Sequence, residues 1–254
     1  MTIAKTFAMG LDPVWMARGA GFEPDQWQVE VLRRRDPQTI LLATRQGGKS
    51  LVTALLSVHE ALFHPSALVL LFARAQRQSL ELYGKVRLIL RALGEVVPGY
   101  ATDTLSSLEL ANGSRIVCLP GDEATTRGFS GVSLLVIDEA SRCPDLLYEA
   151  VRPMLAVSAG KLVLLSTGWG RRGFFYETWM HGGPAWHRVK VTAPDCPRIP
   201  AGWLEEERRS LPERVFRQEY MCSFEDIESQ VFPTELVAEA FTDDVRPLFA
   251  GGVR

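Results

Sequence analysis

Residues 43–50 read ATRQGGKS and stand between two apolar segments of different character. The segment 39–43 is a short apolar run typical of a buried strand, and the segment 49–63 has the periodicity of a helix. The octapeptide has the spacing of a Walker A phosphate-binding loop, with Ala43 where the first glycine usually stands. A glycine-rich turn between a strand and a helix predicts a nucleotide-binding α/β fold.

The loop residues are the expected phosphate ligands. Gly47 and Gly48 allow the backbone to curl around phosphate oxygens, and the following helix offers unpaired N–H groups and the positive end of its dipole. Lys49 is expected to reach the β- and γ-phosphates, and the Ser50 hydroxyl to ligate Mg²⁺. The predicted nucleotide-binding set also includes Thr44, Arg45 and Gln46.

A second apolar run, 134–137, ends in two carboxylates, Asp138 and Glu139. This is the form of a Walker B strand, in which Asp138 holds the Mg²⁺ shell while Glu139 orients the attacking water and accepts its proton. A glutamate directly after the aspartate suits activation of water. The pair therefore predicts a nucleoside triphosphate hydrolase rather than a kinase of small molecules.

Further apolar runs at 67–72 and 162–165 alternate with helical segments such as 76–93, and Asn112-Gly113 indicates a hairpin between 105–110 and 115–119. Alternating strands and helices indicate an α/β P-loop NTPase fold of the RecA-like (ASCE) type, a mostly parallel sheet flanked by helices. We predict an ATPase core over 1–185.

The character of the chain changes after Trp186. Prolines 194, 197 and 200 interrupt it, and two polar helices are expected at 202–210 and 212–221. We predict a small C-terminal helical lid subdomain over 186–240, and the start of a linker over 241–254.

Composition restricts the class of protein. The chain has 254 residues, 46% of them hydrophobic, and a net charge of −2, so bulk charge does not indicate a nucleic-acid binder. The four cysteines form no CxxC pair, which fits a reducing cytoplasm. No segment has the length of a membrane span or the apolar core of a signal peptide, so we expect no membrane association.

Other motifs accompany the two Walker elements: Trp27-Gln28, FAR at 72–74, Arg127-Gly128, Ser166-Thr167 and RQEY at 217–220. Together they resemble the ATPase domain of phage large terminases over about residues 22–235. The Walker elements are shared with helicases, whereas the arginine at 45 and the Arg-Gly before the Walker B strand favour the terminase family.

The resemblance implies roles for several residues. Gln28 would recognise adenine, and Thr167, with Ser166, would sense the γ-phosphate and pass its loss to the lid. Gly168 stands where the family usually has proline, which predicts a looser turn. Arg127 would act as an arginine finger on a neighbouring subunit's ATP, with Arg45 in cis as the alternative.

The resemblance also implies cofactors, partners and location. ATP and Mg²⁺ would drive translocation of double-stranded viral DNA into a procapsid, in contact with the portal protein and the small terminase subunit. The subunits would form a ring on the portal, expected to be a pentamer, while an isolated domain can be monomeric. The protein would act in the host cytoplasm and be absent from the mature virion.

The family also has a nuclease domain, and this chain stops at Arg254, where that domain would begin. We therefore expect an isolated motor domain. The alternatives are a helicase-like ATPase, a nucleotide-binding regulatory module with little turnover, and a small-molecule kinase as the weakest. Phosphate release without an acceptor distinguishes the kinase, and stimulation by a portal rather than duplex unwinding distinguishes the helicase.

Overall fold

The computed structural model describes residues 3–120 and 128–225, together with positions 236 and 240. At its centre lies one eight-stranded sheet. The strands are β1 (Gln38–Ala43), β2 (Leu68–Ala73), β3 (Tyr100–Asp103), β4 (Ser107–Leu110), β5 (Arg115–Pro120), β6 (Leu134–Asp138), β7 (Lys161–Ser166) and β8 (His187–Val191).

The strands lie in the order β3-β4-β5-β2-β6-β7-β1-β8. All neighbours from β5 to β8 pair in parallel, while β3 and β4 form antiparallel pairs at one edge. The turn at Asn112-Gly113 joins β4 to β5, as its sequence predicts, with Gly113 at φ 81°. The mostly parallel α/β fold is thus confirmed.

Helices cover both faces of the sheet. They are α1 (Ile3–Leu11), α2 (Pro13–Gly19), α3 (Gln26–Arg33), α4 (Lys49–Phe63), α5 (Gln76–Leu93), α6 (Asp145–Val151), α7 (Gly173–His181), α8 (Ala201–Ser210) and α9 (Glu213–Tyr220). Within the part of the chain described here, no helix is long and apolar enough to cross a membrane.

The core consists of two layers, one on each side of the sheet. Along β1, Leu41 and Ala43 pack into the layer formed with α1–α5. Ile40 and Leu42 point into the opposite layer, which includes residues of α6 and α7. This alternation along a strand buried on both faces explains why the apolar runs are continuous rather than alternating.

Strand register brings the predicted motifs to one edge of the sheet. Leu42 of β1 is level with Ser166 of β7, and Leu165 of β7 is level with Asp138 of β6. β7 therefore lies between the strand that leads into the phosphate loop and the strand that ends in the acidic pair. Because all three run parallel, their carboxyl ends deliver their side chains to the same crevice.

Two features differ from the sequence prediction. The chain after Trp186 first continues the sheet, which was not predicted: β8 pairs with β1 from Thr39 to Ala43, so the sheet includes residues up to Val191. At the N-terminus, α1 and α2 were not predicted. Asp12 caps α2 through Val14 N at 3.0 Å and pairs with Arg33 of α3 at 2.8 Å.

The two lid helices, α8 and α9, begin and end within one or two residues of their predicted bounds. α8 has no buried residue, while α9 buries Phe216 and Gln218. The lid is thus attached mainly through α9. The predicted linker, 241–254, lies outside the described residues.

Candidate functional site

The phosphate loop has a backbone that requires its glycines. Gln46 and Gly48 have positive φ angles of 55° and 92°. A Cβ at Gly48 would lie 2.6 Å from both Arg198 Nη2 and Gln28 Nε2, and one at Gly47 would lie 3.1 Å from Thr44 Cγ2. A side chain at Gly48 would therefore be strained and crowded, and one at Gly47 would press on its neighbours behind the loop.

Two side chains hold the loop carbonyls from behind. Arg198 Nη2 donates to Gly47 O at 2.7 Å and pairs with Asp25 at 2.7 Å. Gln28 Nε2 faces Gly48 O at 3.5 Å, the outer limit for a hydrogen bond. The Arg45 and Gly47 amides donate within the protein, to Glu219 O and Thr44 O at 3.3 Å each, so the N–H groups that suit an anion are those at the start of α4, which have no partner within the helix.

Gln28 is buried between the start of α3 and the phosphate loop. It is 1% exposed, its Oε1 accepts from Asp25 N at 2.9 Å, and its Nε2 faces the loop. Both ends of the amide therefore have protein neighbours. Gln28 therefore links the start of α3 to the phosphate loop, and its predicted contact with a base edge stays a prediction.

Thr44 also faces the protein interior. Its amide donates to Val191 O at 2.9 Å, and its hydroxyl donates to Glu219 O at 3.1 Å. Thr44 is fully buried and joins the loop to β8 and to α9. The Thr44 side chain therefore anchors the loop to its neighbours. Gln46 lies in the loop, and Lys49 and Ser50 are the first residues of α4.

The acidic pair at the end of β6 lies beside the first residues of α4. Ser50 Oγ donates to Asp138 Oδ2 at 3.3 Å, and Lys49 Nζ lies 3.7 Å from Glu139 Oε1. Burial, and then the neighbouring Glu139 carboxylate, raises the pKa of Asp138 to about 6, while Lys49 acts in the opposite direction. The residues from two separate motifs thus form one cluster of compensating charges.

Glu139 has an unusual backbone conformation. Its φ and ψ angles are 51° and 38°, in the left-handed region, and its amide donates to the Asp138 carboxylate at 2.8 Å. Such a conformation is costly for a residue with a side chain and persists where the surroundings enforce it. Here it turns the Glu139 side chain, which is a quarter exposed, towards Lys49 and the crevice.

Mg²⁺ fits the oxygen donors at this position. Ser50 and Asp138 offer a hydroxyl and a carboxylate 3.3 Å apart. Among the described residues no group of three or more His, Cys, Asp or Glu side chains forms a metal site. Mg²⁺ is commonly held by one or two protein oxygens together with substrate phosphates and water, so a two-residue set is adequate.

The predicted coupling motif lies at the end of β7. Ser166 Oγ and Ser141 Oγ are 2.6 Å apart, and both lie close to the Walker B strand. Thr167 Oγ1 is buried and has no hydrogen-bond partner within the described structure. Buried hydroxyls are seldom left unpaired, so this group calls for a partner such as a bound water molecule or a ligand.

Gly168 has a role that its sequence position did not predict. A Cβ there would collide with the Ser223 carbonyl oxygen and lie 3.0 Å from Gln218 O. The chain after α9 passes directly over Gly168 and continues alongside it, with Glu225 N donating to Trp169 O at 3.0 Å. The glycine accommodates this close approach, and the looser turn expected from it stays a prediction.

Glu219 was part of the family-like RQEY stretch, but no role was predicted for it. Its carboxylate pairs with Arg45 at 2.8 Å and with Arg142 at 2.9 Å. The Arg142 guanidinium also lies 4.1 Å from the centre of the Trp169 ring. Glu219 therefore joins the phosphate loop, the turn after the Walker B strand and the lid. No local pattern signals such a contact, because its members are far apart in sequence.

Arg127, the predicted finger, lies outside the described residues. Arg45, its alternative, is engaged by Glu219 with its side chain 59% exposed. The structure therefore describes the surroundings of Arg45 but gives no information on Arg127.

The sequence matches the family model described as terminase large subunit, T4likevirus-type, N-terminal, over residues 40–238. The chain belongs to this terminase family. The large subunit of Thermus virus P23-45 is 26% identical over 247 residues, an alignment covering 84% of this chain and 51% of the relative. The chain thus spans about half the length of that curated relative.

Solved terminase structures share the fold. The ATPase domain of the Thermus phage P74-26 large terminase superposes with a TM-score of 0.72 at 23% identity, covering 82% of this chain and 96% of that one. The large terminase of a thermophilic bacteriophage, in complex with ADP, has a TM-score of 0.65 at 12% identity, covering 79% and 54%. The described core and lid therefore have the architecture of a terminase ATPase domain.

Proposed function

We propose that this terminase chain hydrolyses ATP and uses the energy to move double-stranded viral DNA into a procapsid. The observation that carries the proposal is the cluster at the carboxyl edge of the sheet, where Lys49 Nζ lies 3.7 Å from the Glu139 carboxylate. A phosphate loop and a water-orienting acid converge there. The terminase from the thermophilic bacteriophage, whose structure contains ADP, supports ATP as the nucleotide.

Binding of the triphosphate rests on the loop. The amides at the start of α4 and the Lys49 ammonium surround the phosphates, and Ser50 and Asp138 hold Mg²⁺. When bound, this ion neutralises charge on the β- and γ-phosphates. Lys49 leaves its contact with Glu139 as it engages the γ-phosphate, which frees the carboxylate.

Glu139 then acts on the nucleophile. Its side chain lies beside Lys49 at the edge of the crevice, within reach of a water in line with the γ-phosphate. The carboxylate orients this water and accepts its proton as the phosphoryl group departs. The enforced left-handed backbone at Glu139 helps to hold the carboxylate in this direction.

Coupling to the lid uses the groups next to the γ-phosphate. The unpartnered Thr167 hydroxyl is the proposed sensor, and Gly168 lies against the chain that follows α9. Loss of the γ-phosphate shifts Thr167, and the contact at Gly168 transmits this shift to the lid. Movement of the lid is the proposed power stroke.

The finger arginine is proposed to be Arg127, acting on the ATP of a neighbouring subunit. The ion pair between Arg45 and Glu219 at 2.8 Å supports this choice, because it holds Arg45, the alternative finger in cis, in a contact with α9. A site shared between subunits fits assembly as a ring on the portal, proposed to be a pentamer, together with the small terminase subunit in the host cytoplasm.

The test is phosphate release from ATP with no acceptor present. We expect slow release by the parent chain, stimulation by portal and DNA, and no duplex unwinding. Lys49→Ala loses both ATP binding and phosphate release, whereas Lys5→Ala, at an exposed position of α1, is a matched control that keeps both. A parent chain that binds ATP but releases no phosphate even with portal and DNA would contradict the proposal.

A further inference from the structure

A cavity of about 350 Å³ lies between the phosphate loop and the lid. Its walls include Arg45 and Gln46 of the loop, Arg198 and Pro200 after β8, and Trp203 and Tyr220 of the lid helices. This volume is at the lower end of the range typical for small-ligand sites, roughly 300–1,000 Å³. Nothing in the hydrolysis cluster accounts for the cavity.

The cavity borders the phosphate loop. Arg45 and Gln46 belong to the loop that surrounds the phosphates, so a ligand whose phosphates occupy the loop can extend directly into the cavity. Arg198 forms a fixed wall, since it is held by Asp25 and by Gly47 O, each at 2.7 Å. The position is therefore suited to the non-phosphate part of the same ligand.

The lid side of the cavity is aromatic. The rings of Trp203 and Tyr220 meet edge to face with their centres 5.6 Å apart, and Trp203 remains 42% exposed. The Tyr220 hydroxyl donates to Glu207 at 2.8 Å, which fixes that ring behind the indole. An exposed indole held in this way offers a flat surface on which a heterocyclic base can stack.

We propose that the base and ribose of the nucleotide occupy this cavity, and that Trp203 is the residue on which the base stacks. The inference rests on the proposed ATP-binding function and specifies which residues contact the base. It replaces the role expected of Gln28, whose amide faces the protein on both sides. A base placed there bridges the core and the lid, so nucleotide binding holds α8 and α9 against the phosphate loop.

The test compares ADP with inorganic tripolyphosphate, which has phosphates but no base. Calorimetry should show that Trp203→Ala weakens ADP binding by about 10-fold or more while Trp203→Phe stays within about 3-fold. Tripolyphosphate binding stays unchanged in both variants. Trp15→Ala, which removes an exposed tryptophan of α2, is the control and leaves both affinities unchanged.

Tryptophan fluorescence gives an independent measurement. Emission from the parent chain should change with ADP but not with tripolyphosphate, and this change should disappear in Trp203→Phe. Unchanged ADP affinity in Trp203→Ala, or an equal loss of ADP and tripolyphosphate binding, would overturn the assignment of the base while leaving ATP binding intact in the parent. A parent chain that binds neither ligand would overturn both this inference and the proposed function.

Discussion

Gly168 has no room for a side chain, because the Ser223 and Gln218 carbonyl oxygens lie where a Cβ would be placed. We expect Gly168→Ala to lower the free energy of unfolding by about 1–3 kcal/mol, the usual range for overpacking. Gly84→Ala is the matched control: a Cβ at Gly84 meets nothing within 4 Å, and alanine favours the α5 helix. Urea denaturation measures both. Equal stability of Gly168→Ala and the parent would contradict the close packing.

His59 gives a prediction about pH. Burial lowers the pKa of His59 from 6.5 to about 4, helped by Arg35 and His64, while its Nε2 donates to Gly10 O at 3.1 Å. Below pH 6.5 the unfolded chain binds a proton that the folded chain excludes. Stability from this group is therefore present above pH 6.5 and lost as pH falls towards 4, by about 3 kcal/mol.

Thermal unfolding between pH 4 and pH 7.5 tests this sign. His59→Gln keeps a donor for Gly10 O but does not titrate, so its unfolding free energy should vary less with pH than that of the parent. His181→Gln, at an exposed histidine 69% accessible, should follow the parent. The same pH dependence in His59→Gln and the parent would show that His59 does not carry this effect.

Some site residues can be assigned from a short stretch of sequence, and others cannot. Lys49, Ser50, Asp138 and Glu139 were predicted from motifs, because strand ends and glycine turns place them whatever the rest of the chain does. Gln28 could not be assigned in this way. Its hydrogen-bond partners are Asp25 and Gly48, and the choice between a base and a protein partner depends on packing 20 residues away in sequence.

Among the elements, the connection between lid and core depends on Glu219 of α9, which is mostly buried and paired with Arg45 and Arg142. Glu219→Gln keeps the shape but removes the charge that compensates two guanidinium groups. We expect α9 to open more readily, with amide hydrogen exchange faster by about 10-fold, on the order of 1.4 kcal/mol. Exchange elsewhere in the sheet should be unchanged.

Glu206→Gln on the exposed face of α8 is the control for that measurement and should leave exchange in α9 unaffected. Equal exchange of α9 in Glu219→Gln and the parent would mean that Phe216 and the backbone contacts alone hold the lid.

The elements themselves were largely accessible from sequence, with one instructive exception. The central strands β1, β2, β6 and β7 are buried on both faces, so each appears as a continuous apolar run. β8 lies at the edge of the sheet and alternates charged with apolar residues in HRVKV. A five-residue segment with this composition, followed by a proline-rich segment, is not recognisable as a strand from its sequence. Only its pairing with β1 identifies it as one.

For the whole molecule, the proposed trans role of Arg127 predicts slow basal turnover that rises with protein concentration. Arg127→Ala and Glu139→Ala should each be inactive alone and should regain activity when mixed. In the mixture, an intact Glu139 can meet an intact Arg127 from the neighbouring subunit. Phosphate release per molecule, measured across a range of concentrations, detects this recovery.

Lys49→Ala mixed with Glu139→Ala is the matched control, because both changes lie on the same side of the shared site and no mixture restores it. Activity that is independent of concentration, together with an inactive Arg127→Ala and Glu139→Ala mixture, would exclude trans action and favour Arg45 in cis.

The claim on which the other proposals depend is that Glu139 activates water for attack on ATP held by the phosphate loop. Single-turnover phosphate release by Glu139→Gln tests it, with ADP and ATP affinities measured alongside and Glu149→Gln, at an exposed position of α6, as control. We expect nucleotide binding within about 3-fold of the parent and phosphate release slower by about 100-fold or more. Release at the parental rate with nucleotide bound would contradict the account.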